Sequence, residues 1–357
     1  MEKVVVGMSG GVDSAVAAYL LKQAGYEVTG VTLRIWEAED GNESRCCDIE
    51  DARNTANRIG IKYLPVNCVH DFQKYVVEPF AADYLRGMTP NPCIECNRFV
   101  KWDKLLQYAK VTGAERIATG HYAQVVKLDN GRYTVQKALH AEKDQTYMLY
   151  KLTQEQLAAT LMPLGGLSKA EVRQIALDAG LPVADKPDSQ EICFVTDGSY
   201  ADYIENNAGG DVPGEGFFVD ADGNALGKHK GIIHYTVGQR KGLGIALGYP
   251  AYVKEIRAAS NEVVIGDEGS LLSTELLCRD VNFMSIPGLE TGEKLSCDVK
   301  IRYHHAGQKA EISAADGGEL KVRFEEPVRA ATPGQSAVFY DGEGRVIGGG
   351  IIAEVLK

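Results

Sequence analysis

The sequence predicts an α/β N-terminal domain built on a parallel sheet, followed by two smaller β-rich domains. Apolar β-type runs alternate with helical runs through the first half of the chain, the pattern of a parallel sheet with right-handed crossovers. Beyond Tyr200 the texture changes to short, glycine-punctuated segments of alternating polarity. A length of 357 residues, 45% apolar and 24% charged, fits about two or three globular domains. Boundaries near Ser199 and Leu271 give units of residues 1–198, 199–270 and 271–357.

The elements follow in order. KVVVGM, Lys3 to Met8, is an apolar strand; SAVAAYLLKQAG, Ser14 to Gly25, is a helix closed by its glycine. EVTGVTLRIW, from Glu27, is a second buried strand, and DIEDARNTANRIG a helix capped by Asp48. The strand KYLPVNC and the long helical pattern HDFQKYVVEPFAADYLRG come next, then the helix FVKWDKLLQYAKVTG and the strand ERIATGHY. Asp129-Asn130-Gly131 turns a hairpin, and Ser168 with Glu171 has the spacing of a capping box. Segments such as GEGFFVDADGNALG, LSCDVKIRYHH and LKVRFEEPV read as antiparallel β-structure.

No run approaches the roughly 18 apolar residues of a membrane span, and the N-terminus lacks a secretory pattern, so a cytoplasmic protein without membrane contact is expected. Eight cysteines without a secretory signal read as reduced thiols, not as a disulfide framework. The net charge of −11 opposes nucleic-acid binding as a whole-chain property. The stretch from Gly223 to Lys254, however, carries Lys228, Lys230, Arg240, Lys241 and Lys254 with no acid, a local basic surface.

Chemistry concentrates in the first loop. Between strand and helix, Gly7, Met8, Ser9, Gly10, Gly11, Val12, Asp13 and Ser14 form a glycine-rich turn at a helix N-terminus, where unpaired N–H groups and the helix dipole attract an anion. Gly10 and Gly11 admit close backbone approach, and Ser9 and Ser14 add hydroxyls. Asp13 would repel a phosphate unless a divalent cation bridges them, which implies Mg²⁺. The loop has neither the lysine of a Walker loop nor the glycine spacing of a dinucleotide fingerprint. It resembles the SGGxDS loop of the PP-loop ATP pyrophosphatases (adenine nucleotide alpha-hydrolase-like), which implies ATP cleaved between its α- and β-phosphates to adenylate a substrate.

A nucleophile is then needed. TPNPCIECN places Cys93 and Cys96 on a turn before a helix, where N–H groups favour thiolate, and Cys193 follows in DSQEICFV. Structural zinc is the rival for Cys-x-x-Cys, but no second ligand pair stands at knuckle spacing. Cys46, Cys47, Cys68, Cys278 and Cys297 read as small packing residues.

Taken in order, GMSGGVDS, TPNPCIECN, TGHYA, KDQTYML, DSQEICFV, YTVGQRKGLG, IRYHH and TPGQ closely resemble the tRNA-specific 2-thiouridylases of the MnmA/TrmU family over essentially the whole chain. The resemblance implies a tRNA-uridine 2-sulfurtransferase that adenylates the C2 oxygen of a wobble uridine in the anticodon stem-loop and replaces it with sulfur. A cysteine desulfurase, a sulfur-relay protein or free sulfide would supply that sulfur. The resemblance also implies a β-barrel for the last domain. The family's nucleophile falls on Cys96 and its persulfide carrier on Cys193; Leu33 and Gly120 join the loop around ATP. Asn91, Pro92 and Cys93 map to the target base, and His121, Lys143, Asp144, Gln145, Arg302, Tyr303 and Gln335 to further tRNA contacts. One departure opens a second scheme. Where better-known relatives carry aspartate this chain has Cys93, and Cys93, Cys96 and Cys193 could instead hold a 4Fe-4S cluster whose fourth iron binds hydrosulfide.

Overall fold

The computed structural model describes residues 1–36, 48–187, 192–195, 198–207 and 212–356; Cys46, Cys47 and the start of the DSQEICFV motif lie outside them. Strands β1 (Lys3–Gly7), β2 (Glu27–Arg34), β3 (Lys62–Asn67), β4 (Arg116–Ala118) and the short β7 (Thr160–Leu161) form one parallel sheet in the order β3-β2-β1-β4-β7. Strands β5 (Ala123–Lys127) and β6 (Tyr133–Lys137) stand apart as the hairpin the sequence predicts.

Both faces of the sheet are covered, so the valine run of β1 is buried throughout. Val4 and Val6 pack with residues of helices Val12–Gln23, Ile49–Ile59 and Lys169–Asp178, whereas Val5 packs with Trp102, Leu105 and Ala109 of helix Trp102–Thr112. That division is the strand's two-residue alternation expressed in three dimensions. β3 is an edge strand, which is why Pro65 is tolerated in it. The predicted caps form: Asp48 Oδ1 accepts from the Asp51 N–H, and Ser168 and Glu171 complete a capping box.

Two helical readings change in detail. The long pattern after Cys68 is helical from Val69 to Leu85, but it widens to a π-type turn over Gln73–Val77. The helix ending at Thr112 is likewise preceded by a π-type stretch, Cys96–Lys101. Such widening reorients side chains relative to an α-helix and leaves no sequence signature.

Strands β8 (Gly216–Val219), β9 (Ala225–His229), β10 (Tyr252–Arg257) and β11 (Glu262–Gly266) form a second sheet in the order β10-β11-β8-β9. Its two hairpins are antiparallel as expected, but the chain crosses over between them, so β11 and β8 meet in parallel. The last strands are β12 (Leu272–Phe283), β13 (Lys294–Lys300), β14 (Gln308–Ala314), β15 (Leu320–Arg329), β16 (Ser336–Tyr340) and β17 (Val346–Leu356). They close into a barrel in the order β12-β15-β14-β13-β16-β17.

Hydrogen bonds at several places fasten the barrel to the first domain. Beside the β5–β6 hairpin, Arg132 donates to the carbonyls of Met284 (2.8 Å) and Phe283 (2.9 Å), and Asn130 to that of Ser285 (2.9 Å). Near the cysteine loop, the Thr89 N–H donates to the Pro333 carbonyl (2.9 Å) and Gln335 Nε2 to the Thr89 carbonyl (2.8 Å). Arg132→Ala removes two charge-assisted hydrogen bonds, and should lower the stability of the hairpin–barrel junction by about 2 kcal/mol. Hydrogen exchange at β6 and at Met284–Ser285 measures it, with exchange at β1 as the unaffected control.

Candidate active site

β1 lies at the centre of the first sheet, and the strand order reverses there: β2 and β3 lie to one side, β4 and β7 to the other. Open parallel sheets bind ligands in the crevice outside the carboxyl ends of the strands at such a reversal. The loop Gly7–Ser14 leaves β1 at that crevice, and Gly120 follows β4 into it. The two approach so closely that a Cβ on Gly120 would stand 2.7 Å from the backbone of Asp13 and Ser14. Gly10 has φ +77°, and a Cβ there would meet the Asp48 carbonyl at 2.6 Å.

Hydrogen bonds set the loop's shape. Ser14 Oγ accepts from the Ser9 N–H (3.1 Å), lies 3.2 Å from Ser9 Oγ and donates to the Gly11 carbonyl (3.1 Å). Thr32 Oγ1 donates to the Met8 carbonyl (2.7 Å), and the Tyr63 hydroxyl in turn donates to Thr32 (2.8 Å). Gly11 caps the helix with no side-chain acceptor, so the first-turn N–H groups of Val12–Gln23 form an uncapped positive end, as an anion cradle requires. Leu33 is buried near the end of β2, paired with Val66 of β3.

Asp13 has company that the sequence does not announce. Its carboxylate accepts from Lys169 Nζ at 2.7 and 2.9 Å and from the Tyr122 hydroxyl at 2.7 Å. On the other side of the loop, Lys186 Nζ binds Asp48 (2.8 Å) and Asp51 (2.6 Å), and the Asp48 N–H donates to the Ser9 carbonyl (3.1 Å). Burial works against the ionised Asp48 carboxylate, but the Lys186 ammonium and the Asp51 N–H hold its pKa below the ordinary value. Lys169 directly follows the predicted N-cap Ser168, and Tyr122 lies inside TGHYA; neither position distinguishes a site residue from a solvated one without the fold. The Asp13 carboxylate at the mouth of an anion cradle fits Mg²⁺ held by one carboxylate together with phosphate oxygens.

The thiols stand on a second face. Asn91 Oδ1 accepts from the Cys93 N–H (3.2 Å) at the start of helix Pro92–Glu95, with Pro92 in its first turn, and leaves Cys93 exposed. Cys96 opens the π-type stretch, is buried, and packs in the same apolar cluster as the half-buried Cys193. Phe194 anchors the latter's segment, with its ring centroid 5.6 Å from Phe72, 5.2 Å from Phe80 and 5.2 Å from Tyr203. Burial pushes the thiols of Cys68 to about 11 and of Cys278 and Cys297 to about 12, which suits inert packing residues. Among the described residues no group of three or more histidine, cysteine or acidic side chains is placed to hold a metal ion. In this conformation Cys93, Cys96 and Cys193 therefore do not form a cluster site.

The residues mapped to tRNA divide by what they already bind. Asp144 is buried and accepts from the Thr146 hydroxyl (2.8 Å) and the Ala138 N–H (3.2 Å). Gln145 exchanges backbone and side-chain bonds with Tyr122, both 3.0 Å, and so steadies the tyrosine that reaches Asp13. Gln335 is engaged with Thr89, and Arg302 Nη1 donates to the Arg329 carbonyl (3.2 Å). Burial, then the charges of Asp144 and Cys93, push the Tyr303 hydroxyl up, and its ring centroid lies 6.2 Å from that of Tyr147. Lys143 is half-buried. The His121 ring centroid lies 5.3 Å from that of Trp102, tilted by 47°, with Nδ1 2.9 Å from Thr119 Oγ1; burial, then Lys101, lower its pKa to about 3. In the basic stretch Lys228 meets Glu215 at 3.2 Å, while Arg240 and Lys241 are exposed on a glycine-rich loop.

The sequence matches the family described as the tRNA methyl transferase HUP domain over residues 2–197, with a PRC-barrel domain of the same series at 202–267 and an aminomethyltransferase β-barrel domain at 273–352. It is 53% identical over 360 residues to the tRNA-specific 2-thiouridylase MnmA of Lachnoclostridium phytofermentans, covering 99% of each chain. The chain belongs to the tRNA-specific 2-thiouridylase family. Other members are similar at nearly full length. The MnmA of Acetivibrio thermocellus is 52% identical over 98% of this chain and 99% of its own, and that of Clostridioides difficile 49% over 99% of both. The family's parallel-sheet domain, central PRC-barrel and closed terminal barrel are the architecture described above.

Two predictions follow from this geometry. Gly120→Ala forces a methyl group into the Asp13–Ser14 backbone and should weaken ATP binding at least tenfold, read by calorimetry, while circular dichroism stays unchanged. His121 is neutral in the folded protein, whereas its unfolded pKa is near 6.5. The unfolded chain thus binds the extra proton, so stability present above pH 6.5 is lost as pH falls from 6.5 towards about 3. His121→Gln should flatten that part of the stability–pH curve, measured by urea unfolding.

Proposed function

We propose that the protein is an ATP-dependent tRNA-uridine 2-sulfurtransferase whose loop Gly7–Ser14 binds ATP with Mg²⁺ at Asp13. The observation that carries this reading is the anion cradle at the strand reversal, closed by Gly120, with the cysteine-bearing segment held by the barrel at Thr89 on a second face. Family membership supports tRNA as the substrate, and no described helix is long and apolar enough to cross a membrane.

Chemically, the uridine C2 oxygen bonds to the α-phosphorus of ATP, the bond to the bridging oxygen breaks, and its electron pair leaves on pyrophosphate. The N3 proton is released to water. The terminal sulfur of a persulfide on Cys193 then attacks C2 and expels AMP. Cys96 thiolate attacks Cys193 Sγ, forming a Cys96–Cys193 disulfide and leaving the transferred sulfur, with the S–S electron pair, on the uridine. An external dithiol reductant restores both thiols, and a persulfide-donating desulfurase or relay protein reloads Cys193. Cys96 and Cys193 border the same extended apolar cluster, and no step is routed through an iron–sulfur cluster, since among the described residues no group of three such side chains is placed to hold a metal ion. Asn91, Pro92 and Cys93, at the start of helix Pro92–Glu95, are the residues we assign to the splayed-out base.

Pyrophosphate release should depend on tRNA, and Cys96→Ser and Cys193→Ser should each stop 2-thiouridine formation while ATP binding survives. Nucleoside mass spectrometry with a pyrophosphate assay reads both; a serine variant thiolating at the wild-type rate removes that cysteine from the scheme. Iron-free protein supplied with a persulfide donor should be active and should tolerate Cys93→Asp. Strictly iron-dependent activity would overturn the persulfide route in favour of cluster-bound hydrosulfide.

A further inference from the structure

Glu95 is the one acidic residue of the TPNPCIECN segment, and it stands between Cys93 and Cys96. Arg98 has the helical spacing of a partner for it but lies over the Phe99 ring instead, 5.1 Å from the centroid. The fold supplies a different cation from 56 residues away: Lys151 Nζ donates to Glu95 Oε1 at 2.6 Å. Both side chains are largely out of water, Lys151 13% and Glu95 24% exposed. Lys151 is also firmly rooted. The preceding Tyr150 is buried, its carbonyl accepts from Asn282 Nδ2 (2.6 Å) and its hydroxyl from Ser336 Oγ (3.1 Å), both in the barrel strands, and a Cβ on Gly349 would stand 2.6 Å from its ring.

A pin for the short helix would account for the contact alone. The turn has other pins, however: Asn97 Nδ2 donates to the Met148 carbonyl (3.0 Å), Asn91 Nδ2 to Met148 Sδ (3.4 Å), and the barrel holds Thr89. A partly desolvated charge pair adds little to these as a fastener. Its place beside the thiols matters more. The persulfide sulfur and the Cys96 thiolate of the scheme above are both anions, and a carboxylate removed from most of its water repels them more strongly than an exposed one. We propose that Lys151 is a positioning residue for sulfur transfer, acting through Glu95: it holds that carboxylate and cancels its charge, so that the Cys-x-x-Cys turn presents no uncompensated anion to the moving sulfur. Lys151 touches no substrate in this role, and adenylation does not require it. The assignment rests on the persulfide reading above.

The test uses full-length, iron-free protein in single turnover with tRNA, ATP and a persulfide donor. Lys151→Met strands the carboxylate and should slow 2-thiouridine formation tenfold or more, while pyrophosphate release stays within twofold of wild type. Glu95→Gln removes the carboxylate and should keep thiolation within twofold of wild type; the double variant should recover most of what Lys151→Met loses. A second readout needs no turnover. Iodoacetate and iodoacetamide alkylate the same thiolate, so ionisation cancels in their rate ratio and the local field remains. Measured at the exposed Cys93 by peptide mass spectrometry, that ratio should fall at least twofold in Lys151→Met, rise in Glu95→Gln and return to the wild-type value in the double variant. Glu95→Gln and the double variant leave no stranded carboxylate, so they serve even if Lys151→Met folds poorly. An indifferent Lys151→Met, equal losses in both single variants without recovery in the double, or an unmoved alkylation ratio would reduce the pair to a helix pin. If the iron-free wild-type protein itself failed to thiolate, the persulfide reading would fall, and the alkylation ratio would still decide whether Lys151 compensates Glu95.

Discussion

The Asp13 carboxylate is the point on which the site depends. It joins the loop after β1, the segment after β4 through Tyr122, and the helix beginning at Lys169, three stretches that the sequence keeps far apart. A carboxylate held by an ammonium and a phenol keeps one orientation, and the backbone that carries it cannot drift, because Gly120 leaves no room between the two loops. The loop around Asp13 is therefore held in shape by the protein's own groups.

The second dependence is between domains. The cysteine loop is short and proline-rich, and its conformation is set by bonds from the barrel: Pro333 and Gln335 hold Thr89 from both sides. Farther away, Arg132 and Asn130 fasten the hairpin to the barrel's Phe283–Ser285 segment. The barrel thus acts on the site by positioning, through TPGQ against TPNP, before any question of which surface tRNA covers. The basic stretch of the middle domain is less purely cationic in space than in sequence, because Lys228 is met by Glu215.

Gln145 shows how the two regions communicate. Its backbone and side chain grip Tyr122, whose hydroxyl reaches Asp13, while the neighbouring Asp144 is buried among Thr146 and Ala138. The KDQTYML motif accordingly supports the nucleotide loop from behind as well as bordering the cysteine face.

Much of this was legible from local pattern alone. Two-residue and helical periodicities, the Asp48 cap, the Ser168–Glu171 box and the glycine-rich turn depend on neighbours a few residues away, and each forms as read. The glycine turn and helix start of the first loop were legible for the same reason, since a strand feeding such a turn leaves the first N–H groups of the following helix without intrahelical partners. What the sequence left open is what depends on distance through space. It could not say that β11 would lie parallel to β8, that a π-type turn would begin at Cys96, or that Lys169 would reach the Asp13 carboxylate. A side chain's role is set by the groups the tertiary fold places around it, and a lysine 156 residues away carries no local mark of the carboxylate it will meet.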